Sequence, residues 1–490
     1  MRVFILVLAV LAAAAAGGCG NSRGAGTGAV ATAKCGAGSL PETGLQGQVP
    51  LADRQSGRNA QGYRCNLELV GQYQGEGASW VNPSTSHCAY LATAFDGLAL
   101  KQSPGVQVVD VSDPAHPVLS ANLISPAMLT GPWESLKVNE ARQLLGAVSG
   151  GPIDSAGLFD VYDLSADCAH PVLLNGVAGT PLELPADLLG HEGNWTPDGK
   201  TYWATGVEAG TITAIAVDDP AAPKILYTGF ANTGGNHGIE FSDDSTRMYL
   251  ANASPVGVTI FDISDFKNRV PTPRLRQVGL ASWADSGNNQ VSLPVRYGDT
   301  PYLISVDEFN GEGVHFVDLS DETQPAVVSQ IQLQIQRPEH AATRVEDTAG
   351  DGTFGYEGHY CGVDRKLNPT ALACGFFQSG VRVFDIRDPR AAREIAYFNP
   401  PAQTGRPRAQ LPGSEHAVGA GVLPYSSNTG DLQQSTGPYV IDVATRSTAD
   451  LSTDWCSSPP RFVAPDQLWV TCQDSGFMVL RFTNGAWPLQ

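Results

Sequence analysis

Signatures of nucleotide chemistry are missing from this sequence. A phosphate-binding loop and a dinucleotide-binding glycine fingerprint do not occur in a suitable context, which argues against nucleotide-dependent catalysis. The Gly-x-Ser-x-Gly elbow of serine hydrolases is likewise not found in a suitable context. Positive charge is scarce as well, because 30 Lys and Arg stand against 49 Asp and Glu and leave a formal net charge of -19. This balance opposes binding to nucleic acid or to an anionic membrane surface and favours cations and cationic partners.

Long apolar runs are also rare, and the one at the N-terminus is too short to span a bilayer. It extends from Val3 to Ala16 and is followed by a Gly-Gly-Cys sequence ending at Cys19, which predicts an export signal in residues 1–18. The junction resembles a bacterial lipobox, which would make Cys19 the lipidated first residue of the mature protein. Ala16 stands where a lipobox usually has Leu, so plain secretion is the alternative.

The segment after this junction has little sequence pattern. The part from Arg23 to Leu40 is rich in Gly, Ala, Ser and Thr and shows no periodicity, as expected of a flexible linker. We therefore expect residues 19–63 to form a lipid anchor and a flexible tether that precede the folded domain.

Cysteines spaced as Cys-x-x-Cys are absent, which argues against a thiolate zinc site and against a thioredoxin-type redox motif. The chain has nine cysteines, and eight remain if Cys19 carries a lipid. An even number of cysteines in an exported protein favours disulfide bonds over free thiols.

Glycine and proline are abundant, with 54 and 34 residues, which suits short strands joined by tight turns rather than long helices. The stretch GVRVFDIRDP from Gly380 to Pro389 predicts a strand that ends at an Asp-Pro pair. Val381 and Val383 face one side of this strand and further apolar residues face the other side. The strand must therefore be covered on both faces, as in a stack of sheets.

The same pattern occurs six more times, in GVQVVDVSDP, GLFDVYDLS, GTITAIAVDDP, GVTIFDISD, GVHFVDLSD and GFMVLRF. Each copy is the third of four predicted strands. Seven groups of four antiparallel strands predict an all-β fold, a seven-bladed β-propeller that covers residues 64–490. The last group has no fourth strand after it, so we expect the strand from Cys65 to Gln72 to complete it and close the ring.

The repeated third and fourth strands resemble the LVIVD repeat of bacterial cell-surface propeller proteins. The likeness is strongest in GVRVFDIRDPRAAREIAYF and GVQVVDVSDPAHPVLSANL, and it covers residues 64–490. It implies a surface-exposed propeller and little about chemistry. A weaker likeness extends to the selenium-binding and methanethiol oxidase propellers, which also carry histidines at the top of a seven-bladed ring, but no long motif matches them.

The entry into the first strand of each blade is the position most suited to chemistry, because first strands line the central channel of a propeller. Three histidines and two carboxylates occupy this position in different blades: His191, His237, His359, Glu76 and Glu134. Imidazole and carboxylate groups are ligands for zinc, manganese, iron and copper. We therefore predict that at least two of the three imidazoles face a common cavity that binds a divalent transition metal.

Two long insertions, residues 334–358 and 400–454, are predicted to lie over the same rim. Each contains a Glu-His pair, and these pairs contribute His340 and His416 as further candidate ligands that could close the cavity. The alternative is structural, because the Gly-His pairs at His191 and His359 could hydrogen-bond within their own blades as in WD-repeat propellers. The chain lacks the Trp-Asp dipeptide that completes the WD network.

The positions of four cysteines on the predicted blades specify two disulfide bonds. Cys361 and Cys374 lie on the first and second strands of blade 6, and Cys456 and Cys472 occupy the same strands of blade 7. Neighbouring strands bring such pairs within bridging distance. The remaining four cysteines allow three pairings, which the sequence does not rank: Cys35, Cys65, Cys88 and Cys168.

These observations favour an exported, lipid-anchored, monomeric surface propeller in the bacterial cell envelope that binds a ligand or partner at its upper rim. The alternative function is a metal-dependent propeller enzyme, an oxidase or hydrolase, with a histidine-lined central site. Nucleic acid is not expected as a partner, and the membrane is expected to be contacted only through the lipid at Cys19.

Overall fold

The computed structural model describes residues 28–94, 101–150, 157–177, 179–181, 190–206, 210–231, 235–283, 287–308, 313–348, 354–418 and 451–489. The predicted export signal and Cys19 lie outside these residues. Within the described ranges, no helix is long and apolar enough to cross a bilayer.

The architecture is a ring of seven four-stranded antiparallel blades, a seven-bladed β-propeller. Two strands come before blade 1 in the chain: β1 (Tyr63–Cys65) and β2 (Leu67–Tyr73). Blade 1 comprises β3 (Ser84–Thr85), β4 (Cys88–Leu91), β5 (Val106–Asp110) and β6 (Val118–Leu123). Blade 2 comprises β7 (Lys137–Asn139), β8 (Leu144–Val148), β9 (Leu158–Asp163) and β10 (Val172–Leu173), and the short β11 (Thr180–Pro181) also pairs with β9.

The next three blades follow in chain order. Blade 3 comprises β12 (Glu192–Trp195), β13 (Thr201–Gly206), β14 (Thr211–Ala216) and β15 (Lys224–Phe230). Blade 4 comprises β16 (Asn236–Phe241), β17 (Arg247–Ala253), β18 (Val256–Asp262) and β19 (Arg276–Ser282). Blade 5 comprises β20 (Asn288–Tyr297), β21 (Thr300–Glu308), β22 (Val314–Asp318) and β23 (Ala326–Ile331).

The last two blades are joined to the N-terminal strands. Blade 6 comprises β24 (Cys361–Val363), β25 (Ala371–Gly375), β26 (Val381–Asp385) and β27 (Arg393–Asn399), and β1 adds a fifth strand beside β27. Blade 7 comprises β28 (Arg461–Val463), β29 (Gln467–Cys472) and β30 (Gly476–Phe482), and β2 supplies its fourth strand. The predicted closure of the ring by the N-terminal strand is confirmed, because Leu67 pairs with Phe482 and Tyr73 pairs with Phe477.

The helices of the described residues are short and lie before the first strand or in connections between strands. The α-helices are α1 (Leu51–Ser56), α2 (Pro126–Thr130), α3 (Ser264–Lys267), α4 (Ala341–Thr348) and α5 (Glu415–Val418). Short 3-10 helices occupy Arg58–Gln61, Gln334–Gln336, Pro338–His340 and Arg408–Gln410.

The hydrophobic core lies between blades, as the apolar third strands require. In β26, Val381 and Val383 pack against residues of blade 7 such as Leu468, whereas Phe384 belongs to the cluster that includes Phe316 of blade 5. Each third strand is thus covered on both faces, and removal of these apolar side chains from water holds neighbouring blades together.

The segment before the ring differs from the expected flexible tether. Its described part, residues 28–63, packs against the propeller and contains α1. Glu42 forms an ion pair with Arg382 of β26, a side chain that is completely buried and that also pairs with Glu394 at 3.0 Å. A buried guanidinium requires anionic partners, and such a contact between distant parts of the chain leaves no trace in local composition.

Four disulfide bonds are formed by the described cysteines. The predicted pairs Cys361–Cys374 and Cys456–Cys472 are confirmed. The pairing that the sequence left open is Cys35–Cys65, which ties the N-terminal segment to β1, and Cys88–Cys168, which joins blades 1 and 2. Disulfides persist in oxidising compartments, so these bonds indicate an extracellular or periplasmic location.

Candidate metal centre

Four blades contribute entry residues to one buried cluster at the upper end of the central channel. Glu134 precedes β7, His191 precedes β12, His237 lies in β16, and His359 precedes β24. The sequence predicted this convergence from the equivalent positions of these residues in their blades, and the structure brings all four together.

The imidazoles converge on the carboxylate of Glu134. Its Oε2 atom lies 3.3 Å from Nε2 of His191 and 3.7 Å from Nε2 of His237, and its Oε1 atom lies 2.8 Å from Nε2 of His359. These residues belong to four different blades. The contacts therefore join blades across the channel, unlike the blade-internal hydrogen bonds of the structural alternative.

In His237 and His359 the ring nitrogen that faces away from Glu134, Nδ1, forms a hydrogen bond of its own. The Nδ1–H group of His237 donates to Oε2 of Glu192 at 3.2 Å, and the Nδ1–H group of His359 donates to the carbonyl oxygen of Ser457 at 2.8 Å. Because carboxylate and carbonyl oxygens only accept hydrogen bonds here, they fix the ring orientation and direct Nε2 to the centre. Histidine ligands of metals commonly have such partners.

Two residues of the cluster were missed by the sequence analysis. Glu308 ends β21, and its carboxylate oxygens lie 3.7 Å from Nε2 of His237 and 3.7 Å from Nε2 of His359. Gln290 of β20 donates from Nε2 to Oε2 of Glu134 at 3.1 Å and lies 3.2 Å from Nε2 of His359.

The geometry of blade 5 explains why these two side chains reach the centre. Its strands β20 and β21 have 10 and 9 residues, so β21 carries its last residue up to the cluster. The pairing of β20 with β21 shifts register between Asn289 and Val291, where Gln290 lies. Such bulges re-aim a side chain and are frequent beside functional sites. The strand TPYLISVDE was the available signal, because it ends in the adjacent acids Asp307 and Glu308.

Burial and neighbouring charges act in opposite directions on the pKa values of the cluster. Burial alone would raise the pKa of Glu134, but His359 and His237 outweigh it and hold this pKa well below its usual range. Burial alone would lower the pKa of His237, but Glu134 and Glu192 raise it to about 9. Burial would also lower the pKa of His359, but Glu134 raises it. The pKa of Glu308 is raised by burial.

A layer of buried aromatic side chains borders the cluster. The Trp80 ring centroid lies 5.3 Å from that of Trp133 and 5.6 Å from that of His359, and the Trp133 ring lies 6.0 Å from that of His191. Phe354, Phe377 and Trp455 complete the layer. This apolar wall lowers the local dielectric and strengthens electrostatic interactions within the cluster.

Three of the predicted ligands lie elsewhere. Glu76 accepts hydrogen bonds from the backbone N–H groups of Gln102 and Ser103 at 2.8 and 2.7 Å, so it caps a loop of blade 1 instead of facing the channel. Gly75 and Gly77 on either side of it have positive φ angles of 51° and 86° and turn the chain at this point.

The two insertion histidines were also placed wrongly. His340 ends the 3-10 helix that begins at Pro338, in which no residue is buried, and it takes no part in the described contacts of the buried cluster. His416 binds Asp474 through Nδ1 at 2.7 Å and packs on Trp455, so the aromatic layer separates it from His359. The imidazole of His416 is thus held by a carboxylate of the turn between β29 and β30 and not by the channel cluster.

The donor set of the cluster fits a divalent transition metal ion. Ligands at about 2.1 Å from one ion are separated by roughly 3 to 4.2 Å, and the contacts of Glu134 with His191 and His237, at 3.3 and 3.7 Å, fall in this range. The contact with His359, at 2.8 Å, has the length of a hydrogen bond. Imidazole and carboxylate suit zinc, iron, manganese and copper. The buried Oε1 atom of Gln290 has no hydrogen-bond partner among the described residues, which leaves one more oxygen donor at the cluster.

Comparison with known proteins gives a fold likeness only. No protein-family model matches the chain, and no curated protein matches it. A Bacteroides uniformis protein provisionally assigned as a 6-phosphogluconolactonase is 15% identical, with 66% of this chain and 84% of its own covered and a TM-score of 0.46. The periplasmic gluconolactonase of Pseudomonas aeruginosa is 11% identical, with 67% and 85% covered and a TM-score of 0.44. At this level the likeness carries no argument about activity.

Proposed function

We propose that this protein is an exported metal-dependent propeller enzyme whose centre lies at the upper end of the central channel. The observation that carries the proposal is the convergence of three Nε2 atoms, from His191, His237 and His359, on the carboxylate of Glu134. Imidazole nitrogens gathered around a carboxylate form a donor set that divalent transition metals bind. The sequence resemblance to surface propellers says nothing against this function.

A divalent ion bound there would act as a Lewis acid in a water-poor environment. The protein residues have complementary tasks. Glu192 and the Ser457 carbonyl orient two imidazoles, and the aromatic layer limits the access of water. The identity of the ion separates the two reaction classes, since zinc supports hydrolysis and redox-active iron or copper supports oxidation.

Metal analysis of the purified ectodomain tests the proposal. We expect a transition metal in stoichiometric amount and its loss when His191→Gln and His237→Gln are combined. Two exposed histidines that pair with neighbouring aspartates, His116 and His170, provide a matched control in which both are changed to Gln. Circular dichroism verifies folding, and His359→Gln replaces the double variant if that variant does not fold. The proposal would be refuted if the unchanged protein contained no more metal than the variants that lack cluster histidines.

Binding of a ligand or partner at the upper rim, without catalysis, is the second candidate function. It is supported by Phe354 of the first insertion and by Trp455, which directly follows the second, because both belong to the aromatic layer beside the cluster. Removal of the metal with a chelator separates the two functions. Partner binding that persists in the metal-free protein would belong to the rim and not to the metal centre.

We also propose that the chain is anchored to the membrane through Cys19. The four disulfides support export but carry no information about the lipid. Mass spectrometry of the mature N-terminus tests the anchor, and an unmodified mature terminus would leave plain secretion.

A further inference from the structure

The candidate centre contains more donors than one ion can use. This inference rests on the proposed metal-dependent function and concerns the number and the kind of ions. We infer that the centre holds two divalent ions, with Glu134 as the ligand that they share.

The distances define a first subsite. Glu134, His191 and His237 each place one donor atom within 4.8 Å of the other two. His359 and Glu308 are not in this set, although both lie at the cluster. The first subsite faces Oε2 of Glu134, whereas His359 contacts Oε1 of the same carboxylate. His359 and Glu308 are therefore the donors that remain for a second ion.

The two oxygens of Glu134 point to different histidines. Oε2 faces His191 and His237, and Oε1 faces His359 at 2.8 Å. A carboxylate offers two oxygens with separate lone pairs, so it can bind one ion with each of them. Glu134 therefore belongs to both subsites.

Glu308 completes the second subsite. Its Oε1 atom lies 3.7 Å from Nε2 of His359, and its Oε2 atom lies at the same distance from Nε2 of His237. A separation of 3.7 Å is too long for a hydrogen bond. It does match the separation of two ligands on one ion. The second carboxylate is thus positioned as a ligand and not as a direct hydrogen-bond partner of the imidazoles.

Gln290 provides an independent indication of a cation. Its side chain is completely buried, and Oε1 has no hydrogen-bond partner within the described ranges. Its Nε2 atom lies between Oε2 of Glu134 and Nε2 of His359. Rotation of the amide by half a turn would place the oxygen in this position, where a carboxylate repels it but a cation attracts it. A bound ion would therefore satisfy an atom that is otherwise left without a partner.

The donor chemistry predicts that the two subsites prefer different metals. The first subsite has two imidazoles and one carboxylate oxygen, a set that suits zinc or iron. The second has one imidazole, the oxygens of Glu134 and Glu308, and the amide oxygen of Gln290. Such an oxygen-rich set suits manganese or magnesium.

Metal titration of the chelator-treated full ectodomain tests this inference. To exclude ions bound at the surface, His116 and His170 are first changed to Gln. We expect this parent protein to bind two ions per chain in a mixture of zinc and manganese, one of each. We expect Glu308→Gln to bind only the zinc, with the manganese affinity reduced at least tenfold.

Spectroscopy adds a readout that does not depend on activity. The electron paramagnetic resonance spectrum of bound manganese should change when zinc is added, because both ions share Glu134. If Glu308→Gln does not fold, Gln290→Met provides the second variant, and it should weaken manganese binding without affecting zinc.

The outcomes separate this inference from the proposed function. One ion per chain in the parent, with no effect of Glu308→Gln or Gln290→Met, would overturn the second subsite and leave the proposed metal enzyme intact. No bound ion in the parent would overturn both.

Discussion

Individual residues in this propeller acquire their properties from partners that are distant in sequence. Asp454 and Asp474 are fully buried beside His416, where the insertion before blade 7 meets the turn between β29 and β30. Asp454 accepts the backbone N–H groups of Asp474 and Ser475 at 2.8 and 2.9 Å. Burial and the second carboxylate raise the pKa of Asp454 to about 7.

This carboxyl group predicts a pH dependence of stability. Its pKa is higher in the folded than in the unfolded protein, so the folded state binds more protons between about pH 4 and 7 and the free energy of unfolding falls as pH rises through this range. The loss is on the order of 2–4 kcal/mol, because each pKa unit corresponds to about 1.4 kcal/mol.

Urea unfolding at pH 5 and pH 8 measures this dependence. Asp454→Asn cannot ionise and should have a smaller difference between the two pH values than the unchanged protein. The exposed Asp299, changed to Asn, is the control and should have no effect on the difference. An unaltered difference in Asp454→Asn would show that another group is responsible.

The residue scale also shows what the sequence could predict of the site. His191, His237, His359 and Glu134 were predictable because the entry position repeats from blade to blade. Glu308 and Gln290 were not, since their approach depends on the length and the register of strands in a single blade.

At the scale of elements, the N-terminal segment acts as a structural part of blade 6. Its β1 strand extends the sheet, and Glu42 neutralises the buried Arg382 together with Glu394. Burial raises the pKa of Glu42, and Arg382 counters this effect.

Removing the charge of Glu42 should destabilise the protein. Glu42→Gln leaves Arg382 with one carboxylate, and we expect the free energy of unfolding to fall by about 2 kcal/mol, less than the roughly 3–5 kcal/mol typical when a buried ion loses its only partner. Chemical denaturation measures this change. Glu339→Gln is the matched control, because Glu339 is exposed and pairs with Arg337 at the surface. Equal stability of the two variants would contradict the structural role of the segment.

The third strands show why the elements themselves were predictable. Their two apolar faces follow from packing between neighbouring blades, and this requirement is the same in every blade, so it leaves seven copies of one pattern. The contact between the N-terminal segment and blade 6 occurs once, and a single contact produces no repeat that could be recognised.

At the scale of the whole molecule, closure depends on β2. A chain that begins after residue 75 lacks this strand, and its seventh blade should expose the edge of β30. We expect this truncated protein to aggregate. A chain that begins at residue 28 retains every described element and should stay monomeric.

Light scattering and thermal unfolding of the two truncated proteins measure the difference. A chain lacking residues 1–75 that remained monomeric, with the same melting profile as the longer one, would rule out this closure.

The pairing of β2 with β30 also sets the order in which the molecule is completed. Synthesis proceeds from the N-terminus, so β2 is made first among the strands of blade 7 and has no partner until the final strand emerges. The first six blades assemble from consecutive strands, whereas the seventh needs both ends of the chain. A chain interrupted before Gly476 therefore keeps β2 unpaired, so its edge is left open to unintended pairing.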